Sequence, residues 1–484
     1  MFKGIIAVLS LTLSIPVVGE EQRIDEAKLN AIEQLPIACD NYIKRGYTNV
    51  QACFPAVVGN RITDLDVKGL TVQQFNSLSW PVSARHVGLP DLKTKFDTTY
   101  DTYPVWQSWM TLNDFYVLDD KEDMTWFSSR SSIPQSCKKL VAGDEKGNSR
   151  LSEFLVKHKS VPVGPKVQVL TMDKTASGHR VYDEQKNKLK FQVYFNNVAY
   201  NSLLEYEDEI KLGGVKFKSG TFNGVNDSER GAIFVKAAWK ILQEDNTDLH
   251  RTVSFVVNDE TETCELELVG LVGLHIVSRD IPSNLANAYK GNLWTWSTYE
   301  YKHNSPTTTE FDDGSYLDSR WLFFSKEMSK EEIENQCFYG EKAKLSNYKV
   351  ADKTSCVVNN PNIKPSVILS NDYGEFSDDF PVDPESPILN TVWKNYTPVG
   401  VQWSEGGVLM STAKNKRTDS DDQPFLANNV LEPYTPLSGC SQCHTQGNKT
   451  QEGELRNEMM FLNDNTRRKE GWVDFNLLTI RKIK

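Results

Sequence analysis

The sequence predicts an α+β to mainly β fold, irregular in outline, built on a central antiparallel sheet with short helices and long loops. Three observations predict it. Several segments between about residues 165 and 300 alternate side chains with the period of two expected of strands. Helical periodicity is confined to short stretches. Runs rich in Pro, Asn and Asp at 357–390, and a polar, charged run at 412–424, have the composition of long surface loops or insertions.

The elements follow in chain order. Ala27, Leu29, Ile32 and Leu35 recur at helical spacing and stop before Pro36. Residues 36–135 are irregular and rich in aromatic side chains, among them Trp80, Trp106, Trp109 and Trp126. Strands are then predicted over 167–171 and 189–195, and a short acidic helix over 196–210. Residues 231–242 present an apolar face that includes Trp239. The run 252–257, the polar turn Asn258-Asp259-Glu260-Thr261 and the run 264–277 read as a hairpin or two neighbouring strands. Residues 294–300 give another strand, and Ser329 with Glu332 matches a capping box opening a short helix. Asp312-Asp313-Gly314 with Asp318 is loosely calcium-like, but it lacks the full loop spacing and reads as a turn.

The amino terminus has three parts. Lys3 gives a positive start, an uncharged and mostly apolar run extends to about Val18, and Val17 and Gly19 suit a peptidase site ahead of Glu20-Glu21. This is the pattern of a secretory signal peptide over residues 1–19. The run is too short for the ~20 apolar residues of a membrane span, and no later stretch is long and apolar enough, so no membrane span is expected after cleavage. The mature chain would have 465 residues, with 53 basic and 65 acidic side chains and a net charge of −12. That balance, without extended Lys/Arg clusters, argues against nucleic acid as a partner. Periplasm is the expected compartment.

Eight cysteines are present. Two lie in Cys440-Ser441-Gln442-Cys443-His444, and the other six permit three disulfides in an exported chain. Proximity in sequence favours Cys39–Cys53 and Cys337–Cys356, which leaves Cys137 with Cys264.

The Cys-x-x-Cys-His run carries the most specific chemistry. Two thiols three positions apart can each add to a vinyl group of one porphyrin, and the adjacent imidazole then reaches the iron. Cys440, Cys443 and His444 are therefore the expected attachment site of one covalent haem c, with His444 as proximal ligand. A zinc site would call for a second Cys/His pair at defined spacing, and a thioredoxin-like redox site for a βαβ context; neither is evident. The sixth ligand is open between His275 and Met460, with Met459 and Met410 as further candidates. His275 stands inside the apolar run 269–277, where a buried imidazole needs a partner. That partner is either iron or a hydrogen-bonding group of the core. No nucleotide, metalloprotease or serine-hydrolase signature occurs.

The domain reading is then 1–19 signal peptide, 20–160 an irregular or helical region, 161–380 the sheet-containing core, and 381–484 a C-terminal haem c region. Several segments also carry a resemblance: Phe75-x-x-Leu78-Ser79-Trp80-Pro81, Val181-Tyr182-Asp183-Glu184, the runs 231–239, 269–277 and 294–300, Leu426-Ala427-Asn428, and the late Cys-x-x-Cys-His. Together these resemble uncharacterised bacterial proteins of the cytochrome c family, from about residue 75 onward. The resemblance implies an exported monohaem protein with a large non-haem region, and it implies no particular reaction. Members often carry Phe-Glu-His where this chain has Tyr299-Glu300-Tyr301, so a ligand role at that position is not expected here. The function expected is haem binding and electron transfer with a redox partner protein. The alternatives are a haem-dependent oxidoreductase, peroxidase-like, or a haem-containing envelope binding or sensor protein.

Overall fold

A computed structural model describes residue 54 and, with interruptions, 64–115, 133–205, 221–331, 356–369, 387–411 and 426–432. The expected signal peptide, the expected helix at 27–35, Met459, Met460 and the whole Cys440–His444 motif lie outside the described residues.

The elements are α1 (Asp64–Ser79), β1 (Met110–Thr111), α2 (Gln135–Val141), α3 (Arg150–Lys157), β2 (Gln168–Leu170), β3 (Lys190–Phe195) and α4 (Asn197–Glu205). The strands β4 (Thr221–Phe222) and β5 (Ser228–Glu229) form a small hairpin. Then come β6 (Ile233–Ile241), β7 (Arg251–Asn258), β8 (Thr263–Ser278), β9 (Thr295–Tyr301) and α5 (Thr308–Asp313). A second hairpin, β10 (Cys356–Val358) with β11 (Val367–Leu369), precedes β12 (Tyr396–Glu405) and β13 (Val408–Ser411).

The result is a mixed sheet with a few short helices, α+β in class and leaning towards β. Nine strands join it in the order β1-β3-β6-β8-β9-β12-β13, with β7 on β8 and β2 on β7. The sheet differs from the sequence reading in two ways. It is not wholly antiparallel, because β2 runs parallel to β7, with Gln168 opposite Ser254. It also does not end near residue 300, since β12 pairs antiparallel with β9 and β13 with β12. The region beyond residue 381 thus opens by completing the sheet. A strand that adds to an existing edge needs only one good face, and the aromatic and polar stretch at 396–405 gave little periodicity to read.

The long strand β8 organises the sheet. Along one edge it pairs with β6 over residues 269–278. Val269 and Gly270 pair with β6 and β7 at once, so β7 occupies the other edge, which β9 takes over from residue 273. Met172 bridges back to Phe191, so the path β3-β6-β8-β7-β2 curls round to meet itself. Its interior holds polar groups that satisfy one another. Gln168 accepts from the Tyr194 hydroxyl and donates to Ser254 Oγ at 2.8 Å, while Gln107 lies 2.7 Å from His250 Nε2. Such groups are tolerated in a core only when paired like this. Trp106, Trp239 and Trp393 close around His250, with the Trp393 ring stacked on the imidazole at 4.7 Å.

Alternation along β8 and β9 gives the sheet two distinct faces. Leu274, Ile276 and Tyr299 face α1, where Phe75 stacks on Tyr299 at 4.2 Å and the Tyr299 hydroxyl donates to Thr71 O. Gly273, His275, Thr298 and Glu300 point to the other side. Elsewhere, Asn196 caps α4 and also accepts from Ile233 N, so one side chain ties the end of β3 to the start of β6. A disulfide between Cys137 and Cys264 pins α2 to β8 over Leu140, Val169 and Phe255. The loosely calcium-like cluster is the end of α5, stopped by Gly314 in the left-handed conformation, φ 87°. Among the described residues no helix is long and apolar enough to cross a membrane.

Candidate functional site

The described residues nearest in sequence to the Cys-x-x-Cys-His motif are 428–432, and they form a built site on the second face of the sheet. Asn428 makes the turn. Its Oδ1 accepts from Val430 N at 3.1 Å and Leu431 N at 3.2 Å, and its carbonyl accepts from Glu432 N at 2.8 Å. Its Nδ2 donates across to Thr298 Oγ1 at 2.8 Å and to Tyr299 O at 3.0 Å. Both donors and both lone pairs of the amide are thereby used. Val430 and Leu431 are fully buried and belong to the main core.

Room for that turn comes from Gly273 on β8. A Cβ at this position would stand 2.5 Å from Val430 Cγ2 and 3.1 Å from Asn428 Oδ1. The glycine serves close approach, one of the uses its missing side chain permits.

Beside the turn, three charged or ionisable groups converge. Lys236 of β6, His275 of β8 and Thr298 of β9 are directly opposite one another across the three strands. The Glu432 carboxylate lies over this row, with its oxygens 2.7 and 2.8 Å from His275 Nε2 and one of them 3.3 Å from Lys236 Nζ. Burial alone would raise the Glu432 carboxyl, but the neighbouring His275 and Lys236 outweigh it and hold it at about 2. His275 Nδ1 is enclosed and has no hydrogen-bond partner among the described residues. Lys240, on the same face of β6, is served separately: its Nζ sits 2.6 Å from Asp183 in the 181–187 turn.

A second carboxylate grips the same segment. Glu300 accepts from Asn429 N at 2.5 Å and from Asn429 Nδ2 at 3.0 Å. Burial lifts this carboxyl to about 7 although both bonds from Asn429 favour its ionised form, and the nearby Glu432 charge adds to the rise. A pH dependence follows, and its sign is fixed. In the unfolded chain the group keeps its ordinary value of 4.5, so the fold favours the proton-bound acid. The stabilisation is complete below pH 4.5 and is lost as pH rises through 7, a swing of about 3 kcal/mol. Glu267, raised to about 7 by burial and by Glu265, titrates in the same window. Denaturant midpoints measured from pH 5 to pH 8 should therefore fall with pH, and Glu300→Gln should remove part of that slope. An unchanged slope in the variant would refute the assignment.

The structure places the sequence-predicted candidates as follows. His275 lies on β8 with Glu432 as its partner, and Met410 is in β13, opposite Trp403. Cys440, Cys443, His444, Met459 and Met460 lie outside the described residues. Among the described residues no group of three or more His, Cys, Asp or Glu could hold a metal ion. Sequence reasoning missed Glu432 and Lys236. Lys236 had a signal, because it interrupts the apolar strand Ile233–Ile241 as His275 interrupts 269–277; Glu432 had none in the sequence alone.

Comparisons with protein-family models, with curated proteins and with solved structures return no match.

Proposed function

We propose that this protein is an exported monohaem c-type cytochrome whose sheet body carries a covalently attached haem and passes electrons to a partner protein. The observation that carries the reading is the donor set itself, two thiols and an imidazole in Cys440-x-x-Cys443-His444, behind a secretory leader. When bound, haem would supply a one-electron iron couple. Cys440 and Cys443 would hold the porphyrin edge and His444 would ligate the iron. The segment 428–432 ends eight positions before Cys440, a reach of at most ~29 Å of extended chain, so its anchoring restricts where the motif can lie.

Met460 is taken as the sixth ligand in this reading, with Met459 and Met410 as the other thioether candidates. His275 has Nε2 committed to Glu432, and using Nδ1 instead would require an enclosed atom to be uncovered. A thioether ligand raises the potential and suits electron transfer. An acidic mature chain favours a partner with a basic patch and an association that weakens with salt.

The test is expression of the full chain alongside a cytochrome c maturation system. Haem that stays with the protein through acidified organic solvent, at one per chain, is the expected result. Haem that extracts would sink the reading. Replacement of Met460 by Ala should convert the iron to high spin, whereas a high-spin shift on His275→Gln and none on Met460→Ala would transfer the ligand role. A sixth position open to carbon monoxide or peroxide in the wild type would favour the oxidoreductase alternative.

A further inference from the structure

We infer that residues 428–432 are a clasp, and that Glu432, His275, Lys236 and Gly273 are positioning residues which fix the point at which the haem-bearing tail leaves the sheet. The inference rests on the haem reading above and adds to it the means of placement.

The argument begins with where the polar contacts are concentrated. Segment 428–432 spends a fully satisfied amide, an ion pair and a carboxylate–amide grip on one short turn. The partners come from three adjacent strands: Lys236 on β6, His275 on β8, and Thr298, Tyr299 and Glu300 on β9. The backbone is committed as well, because Asn429, Val430, Leu431 and Glu432 N–H groups all donate to named acceptors.

The strands, for their part, are shaped for this segment. Three polar side chains, Lys236, His275 and Glu300, are buried on β-strand positions where apolar side chains would be less costly, and Lys236 and His275 both have Glu432 as a partner. Gly273 leaves a hollow that Val430 fills. Shape and charge on the sheet therefore match one stretch of chain, and that stretch leads into Pro433 and then the motif at Cys440. A rigid hold just ahead of the motif would fix the tail's point of departure from the sheet and so bear on the shielding of its cofactor from water. Burial is one of the levers that tune a haem potential.

The experiment uses the full-length holoprotein with two substitutions of different chemistry, Glu432→Gln and Gly273→Ala. The first removes the charge that bridges His275 and Lys236; the second pushes Val430 out from beneath without touching a charge. Amide exchange of the peptide spanning 428–432 should quicken about tenfold or more in both variants, while peptides from β6 and β8 keep their rates. The midpoint potential should move in the same direction in both. Glu432→Asp, which keeps the charge, should restore part of each shift.

Unchanged exchange in both variants overturns the clasp. Faster exchange with an unmoved potential overturns the positioning role. If the sheet peptides quicken equally, the segment is merely core, and the proposal fails too. Wild-type protein without covalent haem refutes the underlying reading before any variant is made, so the two failures are separable.

Discussion

Protein in which Cys440 and Cys443 are both replaced by alanine is expected to carry no covalent haem at all. In the haem reading each thiol would supply one thioether, so the double variant would have no atom left to bond the porphyrin. Haem staining of denatured protein and the alkaline pyridine spectrum should both fall to background. The single variants separate the two bonds. Either one alone should keep haem on the chain through one thioether, with the pyridine band displaced because one vinyl group stays unsaturated. His444→Ala should leave attachment possible and change the iron's ligand field instead. The sheet should survive all of these, since the main core cluster draws its residues from Phe54 to Leu431. Far-ultraviolet dichroism unchanged beside a lost haem signal is thus the expected pair of observations. Haem that persists covalently in the double variant would show that the motif does not carry it.

Much of the sheet was legible because its signals are local. The strands β3, β7, β8 and β9 fall on the stretches predicted from alternation, and the β7–β8 hairpin falls on its polar turn. Of the helix expected over 196–210, α4 covers Asn197–Glu205, with Asn196 as the cap. Less legible was anything that depends on pairing at a distance. The parallel contact of β2 with β7 joins Gln168 to Ser254 across 86 positions, and nothing in a three-residue strand announces the direction of its partner. The addition of β12 and β13 depends on an open edge at β9, which is a property of the assembled sheet. The candidate site divides in the same way. His275 stood out as a polar residue in an apolar run, because desolvating an imidazole without a partner is costly. Its partner, Glu432, lies 157 positions away. An acid next to Val430 and Leu431 looks like any solvated charge until the fold brings it over Lys236 and His275.

Replacing Cys137 and Cys264 together is expected to give the largest loss of stability of any change at the described residues. The bond closes a span of 127 positions. In the chain-entropy account a loop of that size raises the free energy of the unfolded chain by about 5 kcal/mol, an effect that grows only with the logarithm of length. Both sulfurs are buried, Cys137 completely, so reduction would also leave two thiols within a small apolar cluster under α2. That helix has only seven residues, too few to persist without a tether or a packed face. Cys137→Ala with Cys264→Ala should therefore lower the melting temperature by roughly 5 °C. Amide exchange should quicken first over residues 135–141, before it does in β6. The double variant is a cleaner probe than a reductant, which would attack every other cystine the chain contains. The same bond reports on the compartment. A chain lacking residues 1–19 would stay in a reducing environment and keep Cys137 and Cys264 as thiols, which alkylate once the protein is unfolded without reductant. Exported protein should resist alkylation at both positions. Equal labelling of the two forms would count against export, and an unchanged melting temperature in the double variant would count against the tether.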